Sequence, residues 1–324
     1  MPRDQLTELR DRIAAHARPD LSTAVDGLTL SKVEYSEPDY SLTEPLLVVM
    51  AQGAKRLLLG DETFDYHAGD LFVVTTDLPV SGHFVDATPK TPALGMGITL
   101  RAEAIAPLLL QTPPVRRTGA TSRTADATAR TVGAGDPPER TVGAADARGR
   151  RTGATSAIAT GPAGPEILDA ALRLMRLLES PTDIPVLAPL IERELLWRLL
   201  TGPHADVIRQ IGLADSSLTH VNRAIHWIRD NYAEPLRVAD LASLAGMSPA
   251  AFHRHFRGIT NLSPLQFQKR IRLQEARSLL AAHPRDIAGV GHLVGYDSPS
   301  QFNREYRRLF GTPPGADAAR LRTA

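Results

Sequence analysis

Two stretches of this chain, 236–256 and 286–306, repeat one pattern in which Gly246 and Gly295 hold the same place. The first reads LRVADLASLAGMSPAAFHRHF and the second DIAGVGHLVGYDSPSQFNREY. In each, an apolar-periodic segment runs into a glycine, an apolar residue, a short polar step and a second amphipathic segment. The glycine suits a tight turn because it enters the left-handed backbone region without steric cost. Ser248 then Pro249, and Ser298 then Pro299, read as a helix cap followed by a first helical residue. Each stretch therefore predicts helix, turn, helix, with bracing helices at 238–245 and 287–293 and second helices at 249–257 and 299–309. Phe252 and Phe256, like Phe302 and Tyr306, are four apart and turn one face of each second helix inward.

The opposite faces carry chemistry. Ala250, His253, Arg254 and Arg257 point outward in the first unit, and Ser300, Gln301, Asn303, Arg304, Arg307 and Arg308 form the polar set of the second. In a helix-turn-helix the second helix enters the DNA major groove, so double-stranded DNA is the expected partner. Guanidinium binds guanine O6 and N7 bidentately and carboxamides suit adenine, which makes Arg254 and Arg304 the leading base-contact candidates. Between the units, SPLQFQKRIRLQEARSLL (263–280) reads as one long helix, with Leu265, Ile271, Leu273 and Leu280 among its apolar positions. As a strut it would set the two readers one helical repeat apart, about 34 Å, with Lys269, Arg270 and Arg272 available for phosphates.

Charge divides the chain the same way. Residues 216–324 hold 15 Lys+Arg against 8 Asp+Glu, whereas residues 1–111 hold 9 against 16. A basic module fits a polyanion, because phosphate contacts release counterions. The acidic part has a different pattern. Residues 1–20 predict a short amphipathic helix on Leu6, Leu9 and Ile13. Then LLVVMAQ (46–52), KRLLL (55–59), GDETF (60–64), DLFVVTT (70–76), SGHFVDA (81–87) and ALGMGITL (93–100) read as short strands of a sandwich or small barrel. A helix is expected to begin at Arg101, with Ile105, Leu108, Leu109 and Leu110 apolar.

Residues 112–164 break every pattern. Val115, Val132, Val142 and Ile158 are their only large apolar side chains, and RTGATS and RTVGA each occur twice. So little apolar surface cannot offset the entropy of ordering, and the segment reads as a disordered linker. Residues 165–215 then predict a helical hairpin, packed on the β-part or forming a dimer seam. Its stripes are Leu168, Leu172, Met175 and Leu178, and Leu190, Leu195, Trp197 and Leu199.

The segments LASLAGMS, FHRHF, SPLQFQKRIRLQEARSLL and VGYDSPSQFNREYRRLFGTPP, with the spacing between them, closely resemble the AraC-type transcriptional regulators over about the last 100 residues. The region EPLLVVMAQGAKRLLLGDETFDYHAGDLFVVTTDLPVSGHF, followed by IPVLAPLIERELLWRLLTGP, resembles the subgroup with a cupin-like effector-binding barrel. The resemblance implies an α+β chain in two domains: an N-terminal cupin-like β-barrel with flanking helices, and a C-terminal all-α double helix-turn-helix domain. It implies DNA contacts from outward positions of both readers, an unknown small-molecule effector, promoter DNA and RNA polymerase as partners, and a homodimer. Three departures stand out. Asn261 replaces the usual glycine before SP, Gly289 and Gly291 weaken the second bracing helix, and the 112–164 insert is long.

The rival reading is a cupin-type metal-dependent enzyme fused to a DNA-binding module. Cupin metals are held by paired histidines, and here His67 and His83 stand apart with Glu62 nearby, so no metal, cofactor or catalytic group is expected. A chain with no cysteine has no disulfide, no thiolate zinc site and no acceptor thiol for alkyl transfer. With no secretory signal and no apolar run of about 18 residues, the expected address is the cytoplasm, off the membrane.

Overall fold

The computed structural model describes residues 2–112, 156–283 and 286–322. The chain opens with helix α1 (Pro2–His16) and continues through strands β1 (Leu28–Val33), β2 (Asp39–Leu42), β3 (Leu46–Gln52), β4 (Ala54–Leu59), β5 (Glu62–His67), β6 (Asp70–Val74), β7 (Pro79–Val85) and β8 (Ala93–Thr99). Helix α2 (Ala102–Leu109), strand β9 (Ile158–Pro162) and helices α3 (Pro165–Leu177), α4 (Ile184–Thr201) and α5 (Ala205–Gly212) follow. The C-terminal part is helical: α6 (Ser217–Asp230), α7 (Val238–Leu244), α8 (Pro249–Thr260), α9 (Pro264–Ala282), α10 (Ile287–Leu293), α11 (Pro299–Phe310) and α12 (Pro314–Leu321).

The strands form two antiparallel sheets, ordered β1-β8-β3-β6-β9 and β2-β7-β4-β5. Alternation sorts their side chains. Leu47, Val49, Leu71, Val73, Met96 and Ile98 face α1, α3 and α4 in one core. Met50, Phe72 and Val74 face the other way, toward Leu57, Leu59 and Tyr66 of the second sheet. Strand β6 is buried on both sides from Leu71 on, which is why LFVV is continuously apolar.

Three strands, β1, β2 and β9, lie outside the runs read from the sequence. β2 has no clean alternation, and β9 (IATGP) lies within the stretch read as linker. β9 takes its register from β6, with Ile158 opposite Val74 and Pro162 opposite Asp70, so its pairing comes from a neighbour and not from its own composition. Order thus resumes before Pro165, and Ala157 and Ile158 are buried. The rest of the linker reading, 113–155 with its repeats, lies outside the described residues.

The hairpin of α3 and α4 packs on the five-stranded sheet through Leu168, Leu172, Met175, Leu195 and Leu199. Leu190, expected in that stripe, is 60% exposed; the buried face of α4 runs through Ala188, Ile191, Leu195 and Leu199 instead. Leu110 likewise falls beyond α2 and is exposed.

The first helix-turn-helix shares its core with the β-sandwich. Ile225, Ile228, Phe252, Phe256, Ile259 and Phe267 are continuous with Leu57, Leu59, Phe72 and Ile158. Polar contacts reinforce the seam: Arg229 pairs with buried Asp77 at 2.6 Å, Thr76 donates to Asn222 at 2.7 Å, and Asn261 donates to Glu62 at 2.7 Å. The second unit has its own core of Leu280, Val290, Val294, Tyr296, Phe302 and Tyr306. It meets the sandwich through Tyr40, whose ring lies 4.7 Å from that of Phe310 and 5.0 Å from the Arg277 guanidinium.

Asp317 closes the second core. Its side chain is fully buried and accepts from Arg277 (2.9 Å), Tyr306 (2.8 Å) and Arg320 (2.9 Å). Burial raises the carboxyl, but those three donors outweigh it and hold it below the ordinary carboxylate value. Asp317→Ala leaves the buried Tyr306 hydroxyl and the partly buried Arg277 guanidinium without their acceptor and should cost about 1–3 kcal/mol in chemical denaturation. Because the folded carboxyl titrates below the unfolded one, its contribution is complete above the unfolded pKa and disappears as pH falls through the folded value. The wild-type and variant stabilities should therefore converge in acid.

Candidate nucleic-acid interface

The two turns are built alike, hydrogen bond for hydrogen bond. Gly246 N–H donates to Ser243 O and Met247 N–H to Ala242 O; Gly295 N–H donates to His292 O and Tyr296 N–H to Gly291 O. Both glycines have positive φ, 64° and 87°. Gly295 is also fixed by space, since a Cβ there would lie 2.2 Å from the carbonyl oxygen of Ala233. The predicted caps form: Ser248 Oγ accepts from Ala251 N–H and Ser298 Oγ from Gln301 N–H, each at 3.4 Å, with Pro249 and Pro299 leading the helices.

Each reader is anchored by its aromatic pair, Phe252–Phe256 at 5.4 Å and Phe302–Tyr306 at 5.6 Å between centroids. The glycines of α10, odd for a helix, have local reasons. Gly291 lies against the Phe302 ring, where a Cβ would come within 3.0 Å, so its absence lets brace and reader approach closely. Gly289 N–H is capped by Asp286 at 2.8 Å, and a Cβ would collide with that carboxylate. Asn261 ends α8 in the left-handed region (φ 56°), as a substitute for glycine must.

The outward set is where the pattern put it. Ala250, His253, Arg254 and Arg257 on α8 are exposed, as are Ser300, Gln301, Asn303, Arg304, Arg307 and Arg308 on α11. Among the described residues, the side chains of Arg254, Arg257, Arg304, Arg307 and Arg308 make no hydrogen bond or ion pair. Two polar members are engaged within their own helix: Gln301 donates to Glu305 and Asn303 to Pro299 O.

The strut cations differ from expectation. Arg272 donates to Tyr232 O (2.6 Å), Ala233 O (3.0 Å), Glu234 O (3.0 Å) and Gly295 O (2.7 Å), which uses four of its five N–H donors. Lys269 pairs with Glu305 at 2.9 Å, and Arg270 turns toward Gly60 O on the β4–β5 turn. Of the three, Arg272 is the one committed to the fold, while Lys269 stays half exposed and Arg270 makes one long contact. Leu265, read as an apolar position of the strut, is 55% exposed. Glu305, which the sequence did not single out, is the organiser: it accepts from Lys269, Tyr296 (2.8 Å) and Gln301 (3.2 Å). Its only advance signal was an acid in an otherwise basic reader.

Elsewhere, His67 is exposed beside Asp70 and His83 lies on β7. Among the described residues no group of three or more His, Asp or Glu side chains is placed to hold a metal, and no helix is long and apolar enough to cross a membrane.

Comparison with known proteins gives the same two parts. A family model described as the AraC-type transcriptional regulator N-terminus matches residues 24–207, and a helix-turn-helix domain model matches 241–320. The HTH-type transcriptional activator RhaS of Klebsiella pneumoniae is 25% identical over 143 residues, covering 43% of this chain and 49% of its own length. GlxA of Rhizobium meliloti is 37% identical over 82 residues, 25% of each chain. RclR of Escherichia coli is 35% identical over 85 residues, 26% of this chain and 30% of its own. The matched region thus spans half or less of each of these relatives. The fold is similar to that of a single-substitution variant of apo ToxT from Vibrio cholerae, at TM-score 0.50 and 8% identity, covering 93% of this chain and all of that one. With more than half of its length matched by the family's N-terminal model and most of the remainder by a helix-turn-helix model, the chain belongs to the AraC-type transcriptional regulators.

Proposed function

We propose that this chain is an effector-responsive transcription regulator that binds double-stranded DNA sequence-specifically, laying α8 and α11 in two adjacent major-groove segments. The observation that carries this is the contrast among its arginines. Those on the exposed reader faces, Arg254, Arg257, Arg304 and Arg307, are unpaired among the described residues, while Arg272 and Arg277 on the strut are consumed inside the fold. Unpaired guanidinia on a rigid, capped helix are ready for guanine edges or phosphates without breaking protein contacts. Arg254 and Arg304 are assigned to bases. Ala250, His253, Ser300, Gln301 and Asn303 complete the reading surface, and Arg257 and Arg307 flank it.

The division of labour follows the architecture. Residues 1–112 with 156–215, strand β9 included, form the regulatory part that takes the small-molecule effector, and 216–324 reads DNA. The protein is an activator that works in the cytoplasm with promoter DNA and RNA polymerase, without catalytic residues or a resident cofactor. Exposed Val186, Leu187 and Leu190 on α4 support a homodimer. Effector binding shifts the balance between states only as far as its affinities for them differ.

The first test uses the full chain, because the first reader's core is continuous with the sandwich. On a duplex selected from a random pool, binding at physiological salt should exceed that to random duplex by about a thousandfold or more. Equal affinity would refute direct readout. The second is Arg304→Ala, which should cost about 1–3 kcal/mol and relax preference at one base position in a binding-site selection. Uniform weakening across all sequences would assign Arg304 to phosphate.

A further inference from the structure

The long helix between the two units carries a polar stripe that the spacing of the readers does not account for. Arg270, Gln274 and Arg277 recur at i, i+4 and i+7 on α9 and so share one face. That face meets the sandwich at three points. Arg270 reaches Gly60 O at the β4–β5 turn, at 3.5 Å. Gln274 Nε2 donates to Val80 O (3.0 Å) and Ser41 O (3.4 Å), two residues that stand opposite one another on β7 and β2. Arg277 lies over the Tyr40 ring of β2, 5.0 Å from its centroid.

The third point leads into the second reader. The Arg277 guanidinium is also 5.4 Å from the Phe310 ring, and its Nε donates to Asp317 (2.9 Å), which accepts from the Tyr306 hydroxyl (2.8 Å). Phe310 closes the circuit. Its ring centroid is 4.4 Å from that of Tyr306 and 4.7 Å from that of Tyr40, the latter pair meeting edge to face at 76°. Phe302, Tyr306 and Phe310 form one stripe along α11. The first two are buried in the second unit's own core, whereas Phe310, at the last turn, is partly buried and has Tyr40 packed on it. Tyr40 is the one member of this cluster that the sandwich contributes. The second unit has reason to lean on it, because its brace α10 is seven residues long and two of them are glycines, which lower intrinsic helicity. The contact leaves the reading face clear, with Arg304 and Arg307 exposed.

We propose that Tyr40 is a positioning residue for DNA reading: from the sandwich it buttresses the C-terminal end of α11 and fixes the angle at which the second reader meets its base pairs. This rests on the reading of both units as DNA readers. A reader already held in its productive pose loses less freedom on binding, so a buttress raises affinity without touching DNA. With two readers on one body, the second engages as an intramolecular event whose strength depends on how well its position is fixed. The effect is confined to the second segment, because the first reader is held on the sandwich by a separate apolar core.

The test compares full-length wild type, Tyr40→Ala and Tyr40→Phe on two duplexes: the one selected by the wild type, and the same duplex with the base pairs under the second reader scrambled. Tyr40→Ala should bind the intact duplex about three- to tenfold more weakly, the scale of one edge-to-face pair and one cation–π contact. On the scrambled duplex it should match the wild type. Tyr40→Phe keeps the ring and removes a hydroxyl that makes no hydrogen bond among the described residues, so it should match the wild type on both. Equal weakening of Tyr40→Ala on the two duplexes would reduce Tyr40 to a general stabiliser and overturn the proposal. So would unchanged or tighter binding to the intact duplex, or a Tyr40→Phe chain that behaves like Tyr40→Ala. A wild type that binds its selected duplex no better than random DNA counts against the DNA-reading assignment itself, whereas a selective wild type with an indifferent Tyr40→Ala counts against Tyr40 alone.

Discussion

The arrangement of both readers depends on one side chain at the middle of α9. Arg272 spends its donors on four backbone carbonyls, three from the loop after α6 and one from the turn of the second unit. A guanidinium is a planar fork that cannot satisfy acceptors spread over two elements unless those elements are held in fixed relation. The same contact explains Gly295, which must bring its backbone against Ala233 where no Cβ fits. The strut therefore does more than separate two helix-turn-helix units. It ties the entrance of the first to the turn of the second, and Lys269 to Glu305 adds a tie to the second reader itself.

The two units are unequal in a way that bears on regulation. The first is welded to the sandwich by a continuous apolar core and by the Asp77–Arg229 pair, so α8 and the sandwich pack as one body. The second keeps its own core and touches the sandwich through the Tyr40, Arg277 and Phe310 cluster. Arg277 also holds Asp317 beneath Tyr306, which connects that outer contact to the base of α11. In the reading proposed here the first unit carries the main connection to the regulatory domain, and the second, tied to it through Arg272, moves with it.

Much of this was legible in the sequence, for identifiable reasons. Local signals sufficed for the readers: a turn glycine, a Ser-Pro cap and an aromatic pair at helical spacing placed α7, α8, α10 and α11 to within a few residues. The strands with long apolar runs were equally clear. β2 and β9 were not, because an edge strand borrows its geometry from a partner, here β7 and β6. The α4 stripe departs from expectation at Leu190 because several overlapping apolar spacings fit one leucine-rich helix. The strut cations look like phosphate ligands in sequence because sequence shows a charge and not its acceptor; carbonyls near 232–234 and at 295 become neighbours of Arg272 only in the fold.

The central claim is that a rigid strut presents two readers to DNA at once. Hydroxyl-radical and guanine-methylation footprints of the full chain on its selected duplex test it most directly. Two major-groove segments protected on one face of the helix, centred about 10–10.5 base pairs apart, are the expected pattern. A single protected segment, or two whose spacing varies from site to site, would contradict it.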